Sequence, residues 1–339
     1  MNASSSILPR IAITMGDPYG VGPEIIVKAT ARPDVREVCD PIIVGTMEIL
    51  EQAAEIVGGE ISCPVIEPEI PLDLELNRFG EVSAAAGRAA FAYIEKAVSL
   101  ALAGEVDAVT TAPIHKEAIN LAGYHFSGHT EILAALTKTE SVSMMLVCGR
   151  MRVAHVTTHI ALEEVPRRIT QSRVVEVIEL FHEALLNLGI DSPRIAVAGL
   201  NPHSGEGGLF GRQEIEVITP AVEAAVERGY CVEGPIPPDT VFVKMLAGQY
   251  DGVVAMYHDQ GHIPVKLLGF TAEPETRSLR SVEGVNVTLG LPIIRTSVDH
   301  GTAFDIAGTG KANEKSMVDA ILMAAMMAGH RIRKAGARS

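Results

Sequence analysis

Five times in this sequence a short apolar, β-branched run stops abruptly at a polar cluster. IAIT runs into MGDP, VDAVTTA into PIHKE, RVAHVTT into HIA, IAVAGL into NPHSGEGG, and GVVAMY into HDQGH. Helical patterns separate the runs: EIIVKAT after the first, a segment around Met47 to Val57 after PIIVG, and a long amphipathic stretch from about Val82 to Leu102. Strands alternating with helices predict an α/β fold whose mainly parallel sheets carry helices on both faces. Ligands of such sheets gather beyond the carboxyl ends of the strands. The chain therefore delivers its reactive side chains to the edge where this fold class binds things. The opening MGDPYGVGPE lacks the GxGxxG spacing of a dinucleotide-binding turn, so it reads as a tight turn near an active site.

Size and charge narrow the class of partner. A chain of 339 residues predicts two domains of roughly 150 residues each. Its net charge of −14 argues against nucleic acid or an anionic membrane as partner, and with no Trp and 4% aromatics it has little for stacking bases. An anionic substrate would need a local basic pocket set against that overall field. The four cysteines (Cys39, Cys63, Cys148, Cys231) form no CxxC pair and read as reduced, mostly buried thiols. The start of the chain shows no secretory pattern, and the apolar run Met317 to Ala328 is short and interrupted by Asp319. The expected compartment is the cytoplasm.

Three groups of residues carry chemistry. Among eleven histidines, His159, His203 and His258 each directly follow an apolar strand. Any one of them is equally well read as a ring satisfying its own loop. Three imidazoles converging on a sheet edge suit a divalent metal with coordination positions left open, although the spacing matches no short metal motif. The second group is His129-Thr130, Lys266, Asn286 and Arg295, polar or basic residues beside apolar segments, which would supply charge-assisted hydrogen bonds to a phosphate and a carboxylate. The third is the glycine-rich stretch DHGTAFDIAGTGKAN, with Gly301, Asp305 and the closing Asn313 (just before Glu314). Its glycines allow close approach to a ligand, and Asp305 would accept hydrogen bonds from the ribose hydroxyls of NAD while repelling the extra phosphate of NADP. Lys116 and Asp239, in polar loops after apolar strands, are the candidates for proton transfer.

The stretches TMGDPYGVGPE, TAPIHKEAI, SGHTE, TTHIAL, GLNPHSGEGG, YHDQGHIPVKLLGF and GVNVTLGLPIIRTSVDHGTAFDIAG resemble the 4-hydroxythreonine-4-phosphate dehydrogenase family from about Ile11 to about Ala328. MGDP, GPEIIVKA and YHDQGHIPVKLLGF look nearest to its 4-phospho-D-threonate and 4-phospho-D-erythronate dehydrogenase branch, and DHGTAFDIAG is similar to the adenosine loop of isopropylmalate dehydrogenases. The resemblance implies a homodimer of two-domain subunits with the active site in the interdomain cleft and completed by the partner. Residues 1–128 with 296–339 would form one domain, and 129–295 a second holding the metal and substrate residues. The family's metal ligands fall on His159, His203 and His258, and its substrate contacts on His129, Thr130, Lys266, Asn286 and Arg295. Its cofactors are NAD, or sometimes NADP, and one divalent metal per subunit (zinc, magnesium or cobalt). The departure is Thr271–Glu283, a strongly polar segment that relatives lack and that reads as an exposed loop or insertion.

The reaction so implied is oxidation of the C3 hydroxyl of a four-carbon 4-phosphorylated acid, followed by loss of CO2. From 4-phospho-D-threonate or 4-phospho-D-erythronate the product is dihydroxyacetone phosphate. The alternative substrate is the 4-phosphooxy-threonine of pyridoxal phosphate synthesis. A metal-dependent lyase without nicotinamide is the rival from another class, and it leaves the GTAFDIAGTGKAN loop without a use.

Overall fold

In the strand Arg10–Thr14 every residue after the first is buried. Continuous burial of this kind marks a parallel strand covered on both faces. The computed structural model describes residues 8–71, 73–273, 278–282 and 284–336. Its packing separates into two units, residues 1–141 with 291–339, and residues 142–290.

In the first unit the strands run in the order Val65–Ile66, Asp40–Val44, Arg10–Thr14, Ala108–Thr111, Ile294–Val298, and every adjacent pair is parallel. The segments after Thr14, Thr111 and Val298 consequently emerge at one edge. Helix Gly22–Thr30 starts with Pro23 and Glu24 and ends with Lys28 in its last turn, an order that suits the helix dipole. Helix Ala84–Leu102 is capped by Ser83, whose hydroxyl accepts from the Ala85 N–H at 3.2 Å. Its buried stripe includes Tyr93 and Ile94.

In the second unit the order is Val285–Leu289, Ser143–Cys148, Met151–His155, Gly252–Ala255, Ile195–Ala198, Val232–Ile236. The first two pairings are antiparallel and the other three parallel, which gives the mainly parallel α/β architecture expected. The long helix Gln171–Asn187, capped by Thr170, buries Phe181 in this unit's core. Truncating a buried Phe typically costs about 3–5 kcal/mol.

The unit boundaries differ from those expected at 128/129 and 295/296. Helix His129–Thr137 packs on Ala84–Leu102, and strand Ile294–Val298 pairs with Ala108–Thr111. His129, Thr130 and Arg295 thus belong to the first unit, not the second. The polar segment expected as a loop contains a hairpin: Phe270–Glu273 pairs antiparallel with Ser278–Val282, with Thr271 opposite Arg280. Polar composition hid its strand character. Residues 274–277 and 283 of that segment lie outside the described residues. Among the described residues no helix is long and apolar enough to cross a membrane. All four cysteines are free, and Cys231 is exposed where burial was expected.

Candidate active site

Three neighbouring parallel strands of the second unit each lead into one of the predicted metal ligands. Met151–His155 and Ile195–Ala198 flank Gly252–Ala255 on either side. His159, His203 and His258 follow these strands at the same edge. The rings of His159 and His258 lie 5.6 Å apart, tilted by 46°. Both line a cavity of about 310 Å³ together with Thr158, Tyr257 and Asp259. His203 is not among its lining residues.

The donor chemistry suits a divalent cation. Nδ1 of His258 faces Asp259 at 2.7 Å, and Nδ1 of His203 faces Glu206 at 3.0 Å. A carboxylate on one ring nitrogen fixes the tautomer and turns the other nitrogen towards a metal. The pair His159–His258 is brought together, but the triad is not closed: among the described residues, no three His, Cys, Asp or Glu side chains stand close enough to hold an ion.

The loop bearing His203 is strained. Residues 203–207 all have positive φ, His203 (51°), Ser204 (54°) and Glu206 (45°) included. Left-handed backbone costs a non-glycine residue roughly 1–2 kcal/mol. The buried Glu214 opposes that cost at the root of the loop. Its Oε1 accepts from the Leu200 and Asn201 N–H groups at 2.8 and 2.7 Å, and its Oε2 from Asn201 Nδ2 at 2.9 Å.

Two more histidines extend the cluster inward, and the sequence reading missed both. His262 stacks on His258 with centroids 3.5 Å apart, and His155 lies 4.7 Å from His262. His258 and His262 are four residues apart in HDQGH, a spacing that puts them on one helix face, so this signal was available. Gly261 is required by close approach, because a Cβ there would lie 2.3 Å from His155 Nε2. Nδ1 of His155 donates to the Met144 carbonyl at 3.3 Å, and burial pushes its pKa down to about 3. His155 is therefore a neutral core ring.

The first unit assembles a different set of groups. Arg295 is 2% exposed, and its Nη2 donates to Thr111 Oγ1 at 2.6 Å. Burial lowers its pKa to about 9, so it keeps its charge at neutral pH. Burial first, and the Arg295 charge second, hold His129 well below the ordinary imidazole range. His129 is thus neutral, with Nε2 buried and lacking a hydrogen-bond partner among the described residues. His129 and Thr130 open helix His129–Thr137, where backbone N–H groups and the helix dipole favour an anion.

Asp17, in the turn after the first strand, went unnoticed because MGDP reads as a turn. It is fully buried, and burial raises its pKa to about 6 despite a hydrogen bond from the Tyr19 N–H at 2.9 Å. Gly16 makes that turn possible: its φ is +72°, and a Cβ would lie 2.3 Å from the Pro113 carbonyl oxygen.

The remaining candidates divide between the units. Lys266 lies on helix His258–Gly269, and Asn286 on strand Val285–Leu289, where its Nδ2 contacts Met144 Sδ at 2.9 Å. Lys116 and Asp239 are exposed in the first turns of helices Lys116–Leu121 and Pro238–Leu246. Asp239 there complements a helix dipole, which explains it without catalysis. Gly301 and Asp305 are exposed, as is Asn313, whose Oδ1 accepts from the Lys315 N–H at 2.7 Å.

Comparison with known proteins decides the family. The model of the pyridoxal phosphate biosynthetic protein PdxA matches residues 37–324. The chain belongs to the PdxA family. A relative from Cupriavidus necator, named D-threonate 4-phosphate dehydrogenase, is 50% identical over 96% of this chain and 99% of its own length. One from Desulfosudis oleivorans, named 4-hydroxythreonine-4-phosphate dehydrogenase, is 48% identical over 93% and 95%. The crystal structure of a 4-hydroxythreonine-4-phosphate dehydrogenase from Burkholderia phymatum aligns with a TM-score of 0.81 at 48% identity, covering 94% of this chain and 98% of that one. In this PdxA-family chain His159, His203, His258 and the 299–314 loop come after the carboxyl ends of strands, where ligands of α/β sheets bind, whereas Arg295 lies within strand Ile294–Val298.

Proposed function

We propose that this protein is a metal- and NAD-dependent dehydrogenase that oxidises and decarboxylates 4-phospho-D-threonate or 4-phospho-D-erythronate, giving dihydroxyacetone phosphate and CO2. The observation that carries the reading is the His159–His258 pair, with rings 5.6 Å apart, at a strand edge shared with His203. The choice of acid rests on the Cupriavidus necator relative named for D-threonate 4-phosphate. The relative named for 4-hydroxythreonine-4-phosphate, at 48% identity, supports that amino acid phosphate as the second reading.

Each group has a part in this reading. When bound, a divalent cation would supply Lewis acidity toward the substrate hydroxyl and NAD would supply the hydride acceptor. His159, His203 and His258 hold the cation, with Glu206 and Asp259 orienting two of the rings. Arg295 keeps a positive charge buried for a phosphate or carboxylate, and the neutral His129 adds an uncharged hydrogen-bonding partner beside it. Thr130, Lys266 and Asn286 complete the anion contacts and fix the substrate's orientation. Asp305 accepts from the ribose hydroxyls of NAD, flanked by Gly301 and Asn313. Asp17, with its raised pKa, joins Lys116 as a candidate for moving the proton. The protein acts in the cytoplasm as a homodimer. Exposed Ile263 and Leu267 provide apolar surface for a second copy to cover, and a fully active monomer in sedimentation would contradict this.

The test is absorbance at the reduced-nicotinamide band with NAD, a divalent metal and each of the three phosphorylated acids in turn, with a chelator control. Chelator-sensitive NADH formation with 4-phospho-D-threonate or 4-phospho-D-erythronate supports the first reading. NADH formation with 4-phosphooxy-L-threonine alone supports the second. No reduced nicotinamide with any acid, from NAD or NADP, overturns both.

A further inference from the structure

The opening turn and the 299–314 loop, at opposite ends of the chain, are tied together by one face of helix Gly22–Thr30. Oε1 of Glu24 accepts from the Gly308 N–H at 2.5 Å. One helical turn later, Nζ of Lys28 donates to the carbonyls of Gly310 and Ala312, each at 2.7 Å. Residues four apart on a helix project from the same face, so the two side chains grip loop positions 308, 310 and 312 in sequence. The Val21 N–H adds a bond to the Thr302 carbonyl at 3.0 Å. Further along the loop, the Phe304 ring stacks on His115 with centroids 4.8 Å apart. Glu24 is fully buried. A buried carboxylate given to a backbone N–H, and an ammonium shared by two carbonyls, are costly uses of charge unless the shape they hold matters. Between these anchors Asp305 stays exposed.

We propose that Glu24 and Lys28 are positioning residues that hold the 299–314 loop in its dinucleotide-binding shape and thereby set the affinity for NAD. This rests on the reading of that loop as the cofactor site. A loop that is competent only part of the time binds with its intrinsic affinity reduced by the competent fraction. Loosening either anchor therefore weakens NAD binding without touching the chemistry.

The experiment measures Kd for NAD by titration calorimetry, and steady-state constants, for wild type, Lys28→Met, Lys28→Arg, Glu24→Ala, Glu24→Gln and Asp305→Ala. Lys28→Met and Glu24→Ala are expected to raise Kd and KM for NAD about tenfold, corresponding to a competent fraction of about one tenth. Turnover at saturating NAD and KM for the acid should stay within about twofold. Lys28→Arg and Glu24→Gln, which keep a donor and an acceptor in place, should recover most of the loss. Amide hydrogen exchange should speed up in residues 302–312 of the two disruptive variants and not in the strands. If Asp305→Ala weakens NAD binding while both disruptive variants bind as wild type, the positioning role is wrong and the cofactor loop stands. If Asp305→Ala changes nothing, the cofactor-loop reading fails first. A parallel loss in every constant, with global loss of exchange protection, would mean that the anchors only support the fold, and would also overturn the proposal.

Discussion

The candidate anion-binding groups of the first unit and the candidate metal-binding histidines of the second are held in opposite ways. In the first, Arg295 and Asp17 are buried and His129 Nε2 is inaccessible, so the penalty of burying them is already incurred in the folded chain. In the second, the side chains of His203 and His258 are 65% and 35% exposed and each leans on a carboxylate. The first unit thus presents a fixed, desolvated charge, and the second presents solvated donors that a cation can gather. On the proposed function, anion recognition would fall to buried groups, where charge is strong, and metal capture to accessible ones, which must exchange water for the ion.

The largest effect should come from the exposed donors. His258→Ala is expected to lower turnover by about a thousandfold or more, the scale of a lost Lewis acid. Stability should change by only about 0.5 kcal/mol, because the ring is surface-accessible. Turnover and a urea melt of the same variant check this, and a large loss of stability would erase the contrast between the units.

Next is a difference in sign with pH. Asp17 has its pKa raised to about 6, so between 3.8 and 6 the folded state binds more protons than the unfolded one. Its contribution to stability is present at low pH and falls as pH rises through that window, by about 3 kcal/mol in all. His155, lowered to about 3, behaves oppositely: the unfolded state binds more protons between 3 and 6.5, and stability is lost as pH falls. Urea melts from pH 4 to 7.5 should show Asp17→Asn gaining relative to wild type as pH rises. An unchanged difference across the range would remove Asp17 from the set of buried charges.

The fold was legible because continuous apolar runs and punctuating polar clusters are local signals. The placement of His159, His203 and His258 was legible for the same reason: each comes after a strand, and parallel pairing carries all three segments to one edge, although only His159 and His258 are brought close together. Asp17 was not, because its chemistry comes from burial, which the MGDP turn does not reveal. His155 and Glu214 sit in runs that read as ordinary strand and helix, and only packing shows what they touch. The unit boundaries were displaced because helix His129–Thr137 and strand Ile294–Val298 choose their partners through long-range packing.

Smaller effects sharpen the comparison. Arg295→Met should raise KM for the phosphorylated acid by about a hundredfold. Because a buried charge is expensive, the melt should be unchanged or shifted to higher urea; a lower midpoint would show that Arg295 is structural. Asp305→Ala should weaken NAD binding by about tenfold, the worth of a lost charge-assisted hydrogen bond, and narrow the preference for NAD over NADP. Titrating both dinucleotides checks it.

The most direct measurement is a cobalt(II) titration followed by the visible absorption of the bound ion, on wild type and on the His159→Ala, His203→Ala and His258→Ala variants. The account predicts one ion per chain in wild type, with binding weakened at least about tenfold by each substitution. Wild-type affinity in His203→Ala would contradict a three-histidine centre built on neighbouring strands.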